Sequence, residues 1–503
     1  FFKALKLNSE DQKIAKRIID EINSRLSYLK DVGLGYLTME RASNTLSGGE
    51  SQRINLATSI GSSLVGSMYI LDEPSIGLHP RDSLRLIEVL KKLRDVGNSV
   101  IVVEHDEEMM KSADMIIDIG PYAGRHGGEV VFKGNHSELV KASKSLTAKY
   151  LTGQYKIEVP KVRRKPKDFI IIEQAYLHNL QNITVKIPLN QICVVTGVSG
   201  SGKSTLIGKI LHTFLERFFL TGLVKASHCG DIKMNFNLVS GVEYINQNPI
   251  GKSSRSNPIT YTKGYDDIRQ LFASEKHAKA KGFKPGYFSF NVDGGRCEKC
   301  QGEGQLTISM QFMADVHLKC DECDGKRFKD EVLEVKFKGK NISQVLEMTV
   351  EESLDFFNED NTLCKKIKAK IFALSEVGLE YVQLGQASNT LSGGEAQRIK
   401  LASFLSHNKS KQKKLFIFDE PTTGLHFHDV KKLIKALQDL VEMGHHVVII
   451  EHHMDIIKSA DWIVDLGPEG GDKGGTLVFE GSPESFVKSK VLSPTKDHLK
   501  EYI

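Results

Sequence analysis

Residues 192–205 read ICVVTGVSGSGKST, and this stretch decides the fold of the chain. The apolar run 192–196 is typical of a buried strand in a parallel sheet, and LIGKIL at 206–211 favours a helix. Between them, residues 197–204 fit G-x-x-x-x-G-K-[ST], whose glycines let backbone N–H groups point at a phosphate. The sequence therefore predicts an α/β domain whose phosphate-binding residues are Gly197, Ser199, Gly200, Ser201, Gly202, Lys203, Ser204 and Thr205.

An internal repeat surrounds this loop. Residues 32–57 (VGLGYLTMERASNTLSGGESQRINLA) and 377–402 (VGLEYVQLGQASNTLSGGEAQRIKLA) are identical at 18 of 26 positions. Downstream, an apolar run ends in Asp72-Glu73 in one copy and in Asp419-Glu420 in the other. A second run ends before His105 or His452. These runs favour central parallel strands covered by helices on both faces, so the sequence predicts two copies of one α/β domain.

The pentapeptide LSGGE occurs once in each copy, at 46–50 and 391–395. A serine before two glycines and then helix formers is typical of a helix N-terminus, which can bind phosphate. A lone pentapeptide of this kind could be only a helix cap, but both copies precede a strand that ends in Asp-Glu. We therefore predict a second phosphate-binding element in each copy, formed by Ser47, Gly48 and Gly49 and by Ser392, Gly393 and Gly394.

The strand-end carboxylates complete a site for phosphoryl transfer, which needs mainly positioning and neutralisation of charge. Lys203 is predicted to reach the β- and γ-phosphates of a nucleotide, and Ser204 is predicted to hold Mg²⁺. Asp419 is predicted to bind the same Mg²⁺ through water. Glu420 is predicted to orient or deprotonate the attacking water.

Two further residues are assigned to this site. His452 follows the next predicted strand, where it is expected to contact the γ-phosphate as a sensor. Gln247, in the stretch YINQNP, is expected near the Mg²⁺ and the attacking water. A histidine in such a place can also be an ordinary core residue, and its position after Glu420 favours the functional interpretation.

The domain division follows from the repeat. We expect residues 1–150 to form part of a first domain, 151–168 a basic linker containing two prolines, and 169–503 a second domain with an insertion at about 250–340. Only the second copy contains the phosphate loop, because the chain starts 31 residues before the first repeated segment. The first domain is therefore expected to be truncated at its N-terminus, in a chain cut from something longer.

Composition excludes several classes of protein. Hydrophobic residues make up 40 % and charged residues 26 %, which is typical of a globular chain. No uncharged apolar stretch approaches the ~20 residues that cross a bilayer, and the start lacks a signal peptide. The net charge of +5, from 68 basic and 63 acidic residues, is too weak to indicate nucleic acid by itself. Four of seven cysteines lie in C-x-x-C pairs, which favours a reducing cytosol and a metal site.

The two cysteine pairs are separated by 19 residues, a spacing typical of four-cysteine zinc sites. Strand-like alternation between the pairs predicts a hairpin that the metal holds at its base. Structural zinc is favoured over a redox dithiol or a disulfide, and four cysteines leave no open position for catalysis. The predicted zinc ligands are Cys297, Cys300, Cys320 and Cys323.

Basic residues surround these cysteines, and three aromatic residues lie just upstream at 287, 288 and 290. Such an arrangement can follow a nucleic-acid backbone, or it can be a solvated face over buried aromatics. The candidate DNA-binding residues are Arg255, Arg296, Lys299, Lys319, Lys326 and Arg327.

The P-loop, LSGG, strand-end Asp-Glu and His together resemble the ATP-binding cassette superfamily. The match is closer to the UvrA family of damage-recognition ATPases, on NTLSGGE followed by QR, DEPSIGLH at 72–79, DEPTTGLH at 419–426 and ADWIVDLGPEGG at 460–471. The resemblance covers essentially the whole chain. It implies two P-loop cassette domains with helical signature subdomains and a zinc-binding β-hairpin insertion.

The resemblance also implies how the cassettes work together. They are expected to pair head to tail, so that the P-loop, Asp419, Glu420, His452 and Gln247 meet the signature serine and glycines of the first copy. A second site with Asp72, Glu73, His105 and the Ser392 motif is expected to be incomplete.

Function follows from the same resemblance. We expect a cytoplasmic ATP hydrolase that recognises DNA lesions in nucleotide excision repair and is not itself the nuclease. Expected partners are double-stranded DNA with lesions, a second copy in a homodimer, and the excinuclease component UvrB, whose binding domain is absent from these residues. Two alternatives stay open: a related ATPase that serves drug self-protection, and a non-catalytic DNA-binding or assembly module.

Overall fold

The structure is a computed structural model of the 503-residue chain. It describes all residues except Lys6, Asn44, Thr45, Ser47, 62–64, Ser143, 223–224, Lys252, Ser254, 311–314 and 407–411. The described residues form two compact units. Unit 1 contains residues 1–121, 129–244 and 412–503, and unit 2 contains residues 122–128 and 245–411.

The secondary structure alternates between short strands and helices. The strands are β1 Met68–Asp72, β2 Ser99–Val103, β3 Ile116–Gly120, β4 Glu129–Gly134, β5 Phe169–Ala175, β6 Ile183–Pro188, β7 Ile192–Gly197, β8 Asp231–Lys233, β9 Val242–Ile245, β10 Gln305–Ile308, β11 Val316–Lys319, β12 Leu415–Asp419, β13 His446–Ile450, β14 Trp462–Gly467 and β15 Thr476–Gly481. The α-helices are α1 Ser9–Leu29, α2 Gly48–Gly61, α3 Pro80–Asp95, α4 Glu107–Ser112, α5 His136–Leu139, α6 Leu146–Leu151, α7 Thr213–Thr221, α8 Pro258–Tyr261, α9 Gly264–Ser274, α10 Lys276–Ala280, α11 Asp330–Leu333, α12 Ile342–Glu347, α13 Val350–Phe356, α14 Thr362–Glu376, α15 Gly393–Leu405, α16 Phe427–Glu442, α17 Met454–Ser459, α18 Pro483–Lys488 and α19 Pro494–Leu499. Lys30–Leu34 and Thr205–His212 are π-helical, and short 3₁₀ helices occupy Phe2–Ala4, Gly124–His126, Phe236–Leu238, Pro285–Phe288, Ser388–Thr390 and Gly471–Lys473.

A six-stranded sheet forms the centre of unit 1, in the order β15-β14-β7-β13-β12-β9. Strands β12, β13, β7 and β14 run parallel, and β15 is antiparallel to β14. The residues of β7 and β13 are fully buried, as the continuous apolar runs at 192–196 and 447–450 predict. Helix α16 packs against β13 and β7. The α/β fold predicted for the second copy is confirmed.

The equivalent strands of the first copy are more exposed to solvent than those of the second copy. Strands β1 and β2 form a parallel pair, and β3 and β4 an antiparallel pair. Met68 and Ile70 are 64 % and 68 % exposed, whereas their counterparts Leu415 and Ile417 are completely buried. The prediction of a central strand covered on both faces is therefore wrong for the first copy. In the second copy β7 joins β13 to β14, and no strand among the described residues joins β2 to β3 in this way.

The predicted linker packs against the second copy within unit 1. Arg163 forms an ion pair of 2.7 Å with Glu484 and donates a hydrogen bond to the carbonyl of Ala460. Arg164 donates to both carboxylate oxygens of Asp461 through its backbone and side chain. Two basic residues of the predicted linker thus bind the residues just before β14 and a glutamate of α18. The division at residues 150 and 168 stays a prediction.

Unit 2 consists of helices α8–α15 and the β10–β11 hairpin. Asparagine, threonine and serine side chains begin four of its helices with reciprocal caps, in which the cap side chain accepts an N–H and the third helical side chain accepts the cap N–H. Its core is aromatic: the rings of Tyr265 and Phe290 are stacked with their centroids 4.8 Å apart. Ser392 of the second LSGGE motif caps α15, so the helical segment predicted at this motif is confirmed.

Among the described residues, no helix combines the length and the apolar character that crossing a membrane requires.

Candidate nucleotide site and cysteine cluster

The predicted phosphate loop connects β7 to the helix that begins the following segment of unit 1. Gly197 has φ of +132°, and a Cβ built on it would lie 1.9 Å from the carbonyl oxygen of Leu466, so only glycine fits there. The Lys203 ammonium turns back over the loop and donates to the carbonyls of Gly197 and Val198, at 3.0 Å each. The loop is therefore preformed around one buried cation.

Three polar atoms around this loop are buried without a hydrogen-bond partner in the structure. They are the Thr196 and Ser201 hydroxyls and Nδ1 of His452. Buried polar atoms of a folded protein usually have a partner, so such atoms need an explanation. Hydroxyl donors beside a lysine ammonium suit phosphate oxygens, and this donor set therefore fits the phosphates of a nucleoside triphosphate.

The strand-end carboxylates lie beside the loop, at the end of β12. Tyr244 donates a hydrogen bond of 2.7 Å to Asp419, and Glu420 Oε1 lies 3.9 Å from Nε2 of His452. Glu420 adopts a left-handed backbone conformation with φ of +48°, which costs a non-glycine residue roughly 1–2 kcal/mol. Its backbone N–H donates to the carbonyl of Ile450 and holds it there. Strain of this kind is typical of functional positions.

The electrostatics of the group follow from its burial. Burial and the neighbouring carboxylates of Asp419 and Glu451 raise the pKa of Glu420 to about 7. Burial lowers the pKa of Lys203 to about 8, although Glu420 opposes that shift. Burial also lowers the pKa of His452 well below its ordinary value, so this imidazole is neutral at pH 7. A carboxyl that titrates near neutrality beside a lysine is suited to accept a proton.

Residues of the first copy reach this site within unit 1. A Cβ built on Gly77 would lie 2.9 Å from Glu420 Oε2, and the Ser199 hydroxyl donates to the Gly77 carbonyl at 3.4 Å. Arg53, in the helix that starts with the first signature glycines, donates to the Ile76 carbonyl, and its charge opposes the rise in the pKa of Glu420. The structure thus brings the loop after Asp72-Glu73 to the P-loop of the second copy.

The first signature is only partly described. Ser47 lies outside the described residues, and α2 begins at Gly48. Gly49 is buried, and a Cβ built on it would lie 2.8 Å from the carbonyl oxygen of Ile76. Gly49 therefore allows α2 to lie close to the loop that carries Gly77.

Three residues at this site were not singled out from the sequence: Tyr36, Arg53 and His79. The Tyr36 ring covers Gly200, where a built Cβ would lie 2.6 Å from its Cγ, and its hydroxyl donates to Glu50 at 2.6 Å. Each of the three is identical in the two copies of the repeat, at 36 and 381, 53 and 398, and 79 and 426. Identity within the repeat was the signal that could have found them.

The second set of predicted residues is divided between the two units. In unit 1, Glu73 Oε1 lies 4.0 Å from Nε2 of His105, and Glu73 has φ of +47°. A Cβ built on Gly424 would lie 3.1 Å from Glu73 Oε1, which repeats the relation of Gly77 to Glu420. Asp72 ends β1, one residue before Glu73.

In unit 2, Ser392 begins α15 and its hydroxyl accepts from the N–H of Glu395. Gly393 and Gly394 form the first turn of that helix, and a Cβ built on Gly393 would lie 3.1 Å from the Cβ of Gln247. Gln247 thus lies beside the second signature in unit 2.

The four predicted zinc ligands come together in unit 2. Their sulfur atoms all lie within 4.8 Å of one another, and all four cysteines are buried. Sγ of Cys297 is 3.9 Å from Cys320, and Sγ of Cys300 is 3.7 Å from Cys323. Sulfurs bound tetrahedrally at about 2.3 Å from zinc are about 3.8 Å apart, so the cluster fits that ion. The pairs flank β10 and β11, which confirms the predicted hairpin.

The basic residues around the cysteines are largely engaged within unit 2. Arg327 is packed over the Phe290 ring and donates to the Gly385 carbonyl, while Lys326 is exposed. The ion pairs join Arg255 to Glu303, Arg296 to Asp293, Lys299 to Asp321 and Lys319 to Asp324.

Comparisons with known proteins find UvrA proteins that are similar in sequence and in structure. UvrABC system protein A from Clostridium perfringens is 53 % identical over 510 residues, which cover 100 % of this chain and 53 % of that protein. UvrABC system protein A from Staphylococcus aureus is 52 % identical over 504 residues, which cover 100 % of this chain and 52 % of that protein. The crystal structure of UvrA2 from Deinococcus radiodurans matches with a TM-score of 0.90 at 40 % identity, covering 98 % of this chain and 59 % of that one.

A model of ribosome-bound archaeal Pelota and ABCE1 matches with a TM-score of 0.50 at 18 % identity, covering 97 % of this chain and 64 % of that one. At this identity the match shows the fold alone. No protein-family model matches the chain. The chain spans about half the length of the curated relatives it matches. Along its whole length it is similar to those relatives in sequence and to UvrA2 in structure. The chain is therefore similar, along its whole length, to about half of a UvrA protein.

Proposed function

We propose that this chain binds and hydrolyses ATP at the P-loop of the second copy. The observation that carries the proposal is the arrangement of Lys203, Glu420 and His452 around buried hydroxyls, with Gly77 of the first copy against the Glu420 carboxylate. A non-catalytic assembly module would not need a strained, buried glutamate whose pKa is raised to about 7.

The proposed roles combine the sequence motifs with the geometry of the described residues. The loop N–H groups from Gly197 to Thr205 and the Lys203 ammonium hold the phosphates, assisted by the first signature residues Ser47, Gly48 and Gly49. Ser204 and Asp419 are the residues that hold Mg²⁺, which when bound neutralises charge on the phosphates. Tyr244 orients the Asp419 carboxylate through its hydrogen bond of 2.7 Å.

Glu420 is proposed as the general base. Its carboxylate accepts a proton from the water that attacks the γ-phosphorus, while the bond to the β-phosphate oxygen breaks and ADP leaves. His452 is proposed to contact the γ-phosphate, because its Nδ1 is buried without a hydrogen-bond partner and its Nε2 lies 3.9 Å from Glu420 Oε1. Asp72, Glu73 and His105 are proposed as a related set in unit 1, and Ser392, Gly393 and Gly394 as a separate phosphate-binding element in unit 2.

The contact of Gly77 with Glu420 gives a prediction across the two copies. Gly77→Ala is expected to lower ATP turnover by about tenfold, because its methyl group displaces the carboxylate and its φ of +67° strains alanine by roughly 1–2 kcal/mol. Gly424→Ala is the matched control, since it has the same φ of +67° but contacts Glu73. Steady-state hydrolysis and thermal unfolding are measured for both. Equal losses of turnover would contradict a site shared by the two copies.

The raised pKa of Glu420 predicts the pH dependence of the reaction. A general base works only when deprotonated, so kcat/KM for MgATP is expected to fall as the pH drops through about 7. His452 does not produce this limb, because its pKa lies well below the ordinary value. The profile is measured between pH 5.5 and 8.5, with circular dichroism to verify folding. A value of kcat/KM that is constant down to pH 5.5 would rule out Glu420 as this base.

We further propose that Cys297, Cys300, Cys320 and Cys323 bind one structural zinc ion. The four thiolates supply a complete tetrahedral set, and the Gly304 N–H donates to the Cys300 sulfur at 3.3 Å. Bound there, zinc joins the two ends of the β10–β11 hairpin.

Cys300→Ser is expected to remove about one zinc per chain and to lower the unfolding temperature, because a structural zinc site contributes folding free energy directly. Cys364→Ser is the control, since Cys364 is also buried in unit 2 but lies in α14. Elemental analysis and thermal unfolding are the measurements. Zinc retained in Cys300→Ser, or lost in Cys364→Ser, would contradict the assignment.

We propose a role in DNA damage recognition during nucleotide excision repair, in the cytoplasm. The similarity to UvrABC system protein A supports this role and a partnership with UvrB, another component of the same excinuclease. Pairing as a homodimer and two cassettes joined at residues 151–168 are part of the same proposal. Among the candidate DNA contacts, the exposed lysines 299, 319 and 326 beside the cysteine cluster are best placed to meet phosphates.

A DNA-binding titration tests this role. Duplexes with and without a lesion are titrated with the chain, with and without ATP, at several salt concentrations, because phosphate contacts make affinity fall with salt. Tighter, ATP-dependent binding of the lesion duplex is expected. Equal affinities would leave a DNA-dependent ATPase without damage discrimination, and no binding would contradict the role.

A further inference from the structure

Two histidines that follow the strand-end carboxylates make the same unusual contact in the two copies. His79 is completely buried, and its Nε2 lies 3.2 Å from the hydroxyl of Thr495. His426 Nε2 lies 3.2 Å from the hydroxyl of Thr147. Each histidine thus meets a threonine from the other copy, within unit 1.

Behind each threonine is a carboxylate that accepts hydrogen bonds from two hydroxyl groups. Thr495 and Ser493 donate to the two oxygens of Asp465, at 3.0 and 2.6 Å. In the other copy, Thr147 and Ser145 donate to Asp118, at 3.1 and 2.5 Å. We call Asp465, Ser493, Thr495 and His79 the His79 clamp, and we call Asp118, Ser145, Thr147 and His426 the His426 clamp.

The hydrogen-bond pattern leaves one arrangement for His79. The Thr495 hydroxyl donates its one hydrogen to Asp465. Its oxygen therefore accepts a hydrogen bond from Nε2–H of the His79 imidazole. Nδ1 accepts from the Arg81 N–H at the start of α3, at 3.2 Å. Both ring nitrogens are therefore occupied in the neutral tautomer, and burial lowers the pKa of His79 well below its ordinary value.

The clamp holds the end of the loop that reaches the nucleotide site. His79 follows Gly77 by two residues, and Gly77 lies against Glu420 and Ser199. Asp465 pairs in register with Thr196, next to the start of the P-loop. The His79 ring also makes an edge contact with His452, with centroids 6.0 Å apart.

We propose that Thr495 and Asp465 act as positioning residues, which hold His79 and so place the loop 75–79 of the first copy against Glu420. The inference rests on the proposed ATPase site. It assigns a role to the Ser-x-Thr segments at 145–147 and 493–495, which extend the internal repeat beyond its histidine strands.

Thr495→Val tests the clamp, because it keeps the shape of the side chain and leaves the His79 N–H buried without a partner. We expect kcat for ATP to fall about tenfold while KM changes less than twofold, and Thr495→Ser to restore at least half of the turnover. Thr147→Val removes the equivalent hydroxyl from the His426 clamp. We expect it to lower the unfolding temperature about as much as Thr495→Val does, and to lower kcat less. Equal effects of both valine variants on kcat, or an unchanged kcat in Thr495→Val, would overturn the proposal.

Amide hydrogen exchange gives a readout that does not depend on hydrolysis. In the chain without nucleotide, Thr495→Val is expected to speed exchange in residues 75–79, and Thr147→Val in residues 422–426. If the unmodified chain does not hydrolyse ATP, the proposed function fails, and the exchange pattern alone decides the clamp. Unchanged exchange at 75–79 in Thr495→Val would overturn it.

Discussion

Glu420→Gln is expected to slow ATP hydrolysis by about 10²- to 10⁴-fold, the contribution of a positioned general base. Glutamine has nearly the same shape, so the loop after β12 keeps its conformation, including the hydrogen bond from the residue 420 N–H to the Ile450 carbonyl. It cannot accept the proton of the attacking water. The affinity for MgATP is therefore expected to stay within about threefold, so that kcat carries the loss.

The measurements are steady-state hydrolysis and equilibrium binding of MgATP. Glu73→Gln is the matched control, because Glu73 has the same left-handed backbone and an equivalent histidine 4.0 Å away. These 503 residues contain one P-loop motif, in the second copy, so the control is expected to have the smaller effect. Turnover within threefold of the unmodified chain in Glu420→Gln would show that another group is the base.

Lys203→Ala is expected to remove both tight ATP binding and turnover. The Lys203 ammonium is buried, and it is the cation that the loop carbonyls of Gly197 and Val198 hold over the phosphate position. A charge-assisted hydrogen bond contributes roughly 1.5–3 kcal/mol, so ATP affinity is expected to fall by about 10- to 100-fold. Hydrolysis is expected to fall to background, since the charge that builds up on the phosphates is no longer neutralised.

Lys209→Ala is the control for this variant. Lys209 lies six residues later on the same helical segment but is exposed, with its ammonium 3.1 Å from His178. It removes the same formal charge and leaves the phosphate loop intact, so turnover is expected to stay within twofold. Persistent hydrolysis in Lys203→Ala, or its loss in Lys209→Ala, would contradict the site.

Much of the fold and of the site is readable from local patterns. The run 192–196 became the fully buried strand β7, and Cys297 and Cys300 joined the second cysteine pair at the base of the predicted hairpin. Such features depend on neighbouring residues, or on spacings with few chemical interpretations. The exposed strands β1 and β2 were predicted wrongly, because an apolar run does not reveal how many strands will flank it.

The sequence by itself determined the α/β class, the internal repeat, the phosphate loop, the strand-end carboxylates and the four-cysteine cluster. Only the tertiary structure decided that Gly77 lies against Glu420, that Tyr36 covers Gly200, and that His79 meets Thr495. The physical reason is the distance along the chain: these pairs are separated by more than 150 residues, so no local propensity or periodicity relates them. Packing the two copies together within unit 1 brings them within a few ångströms.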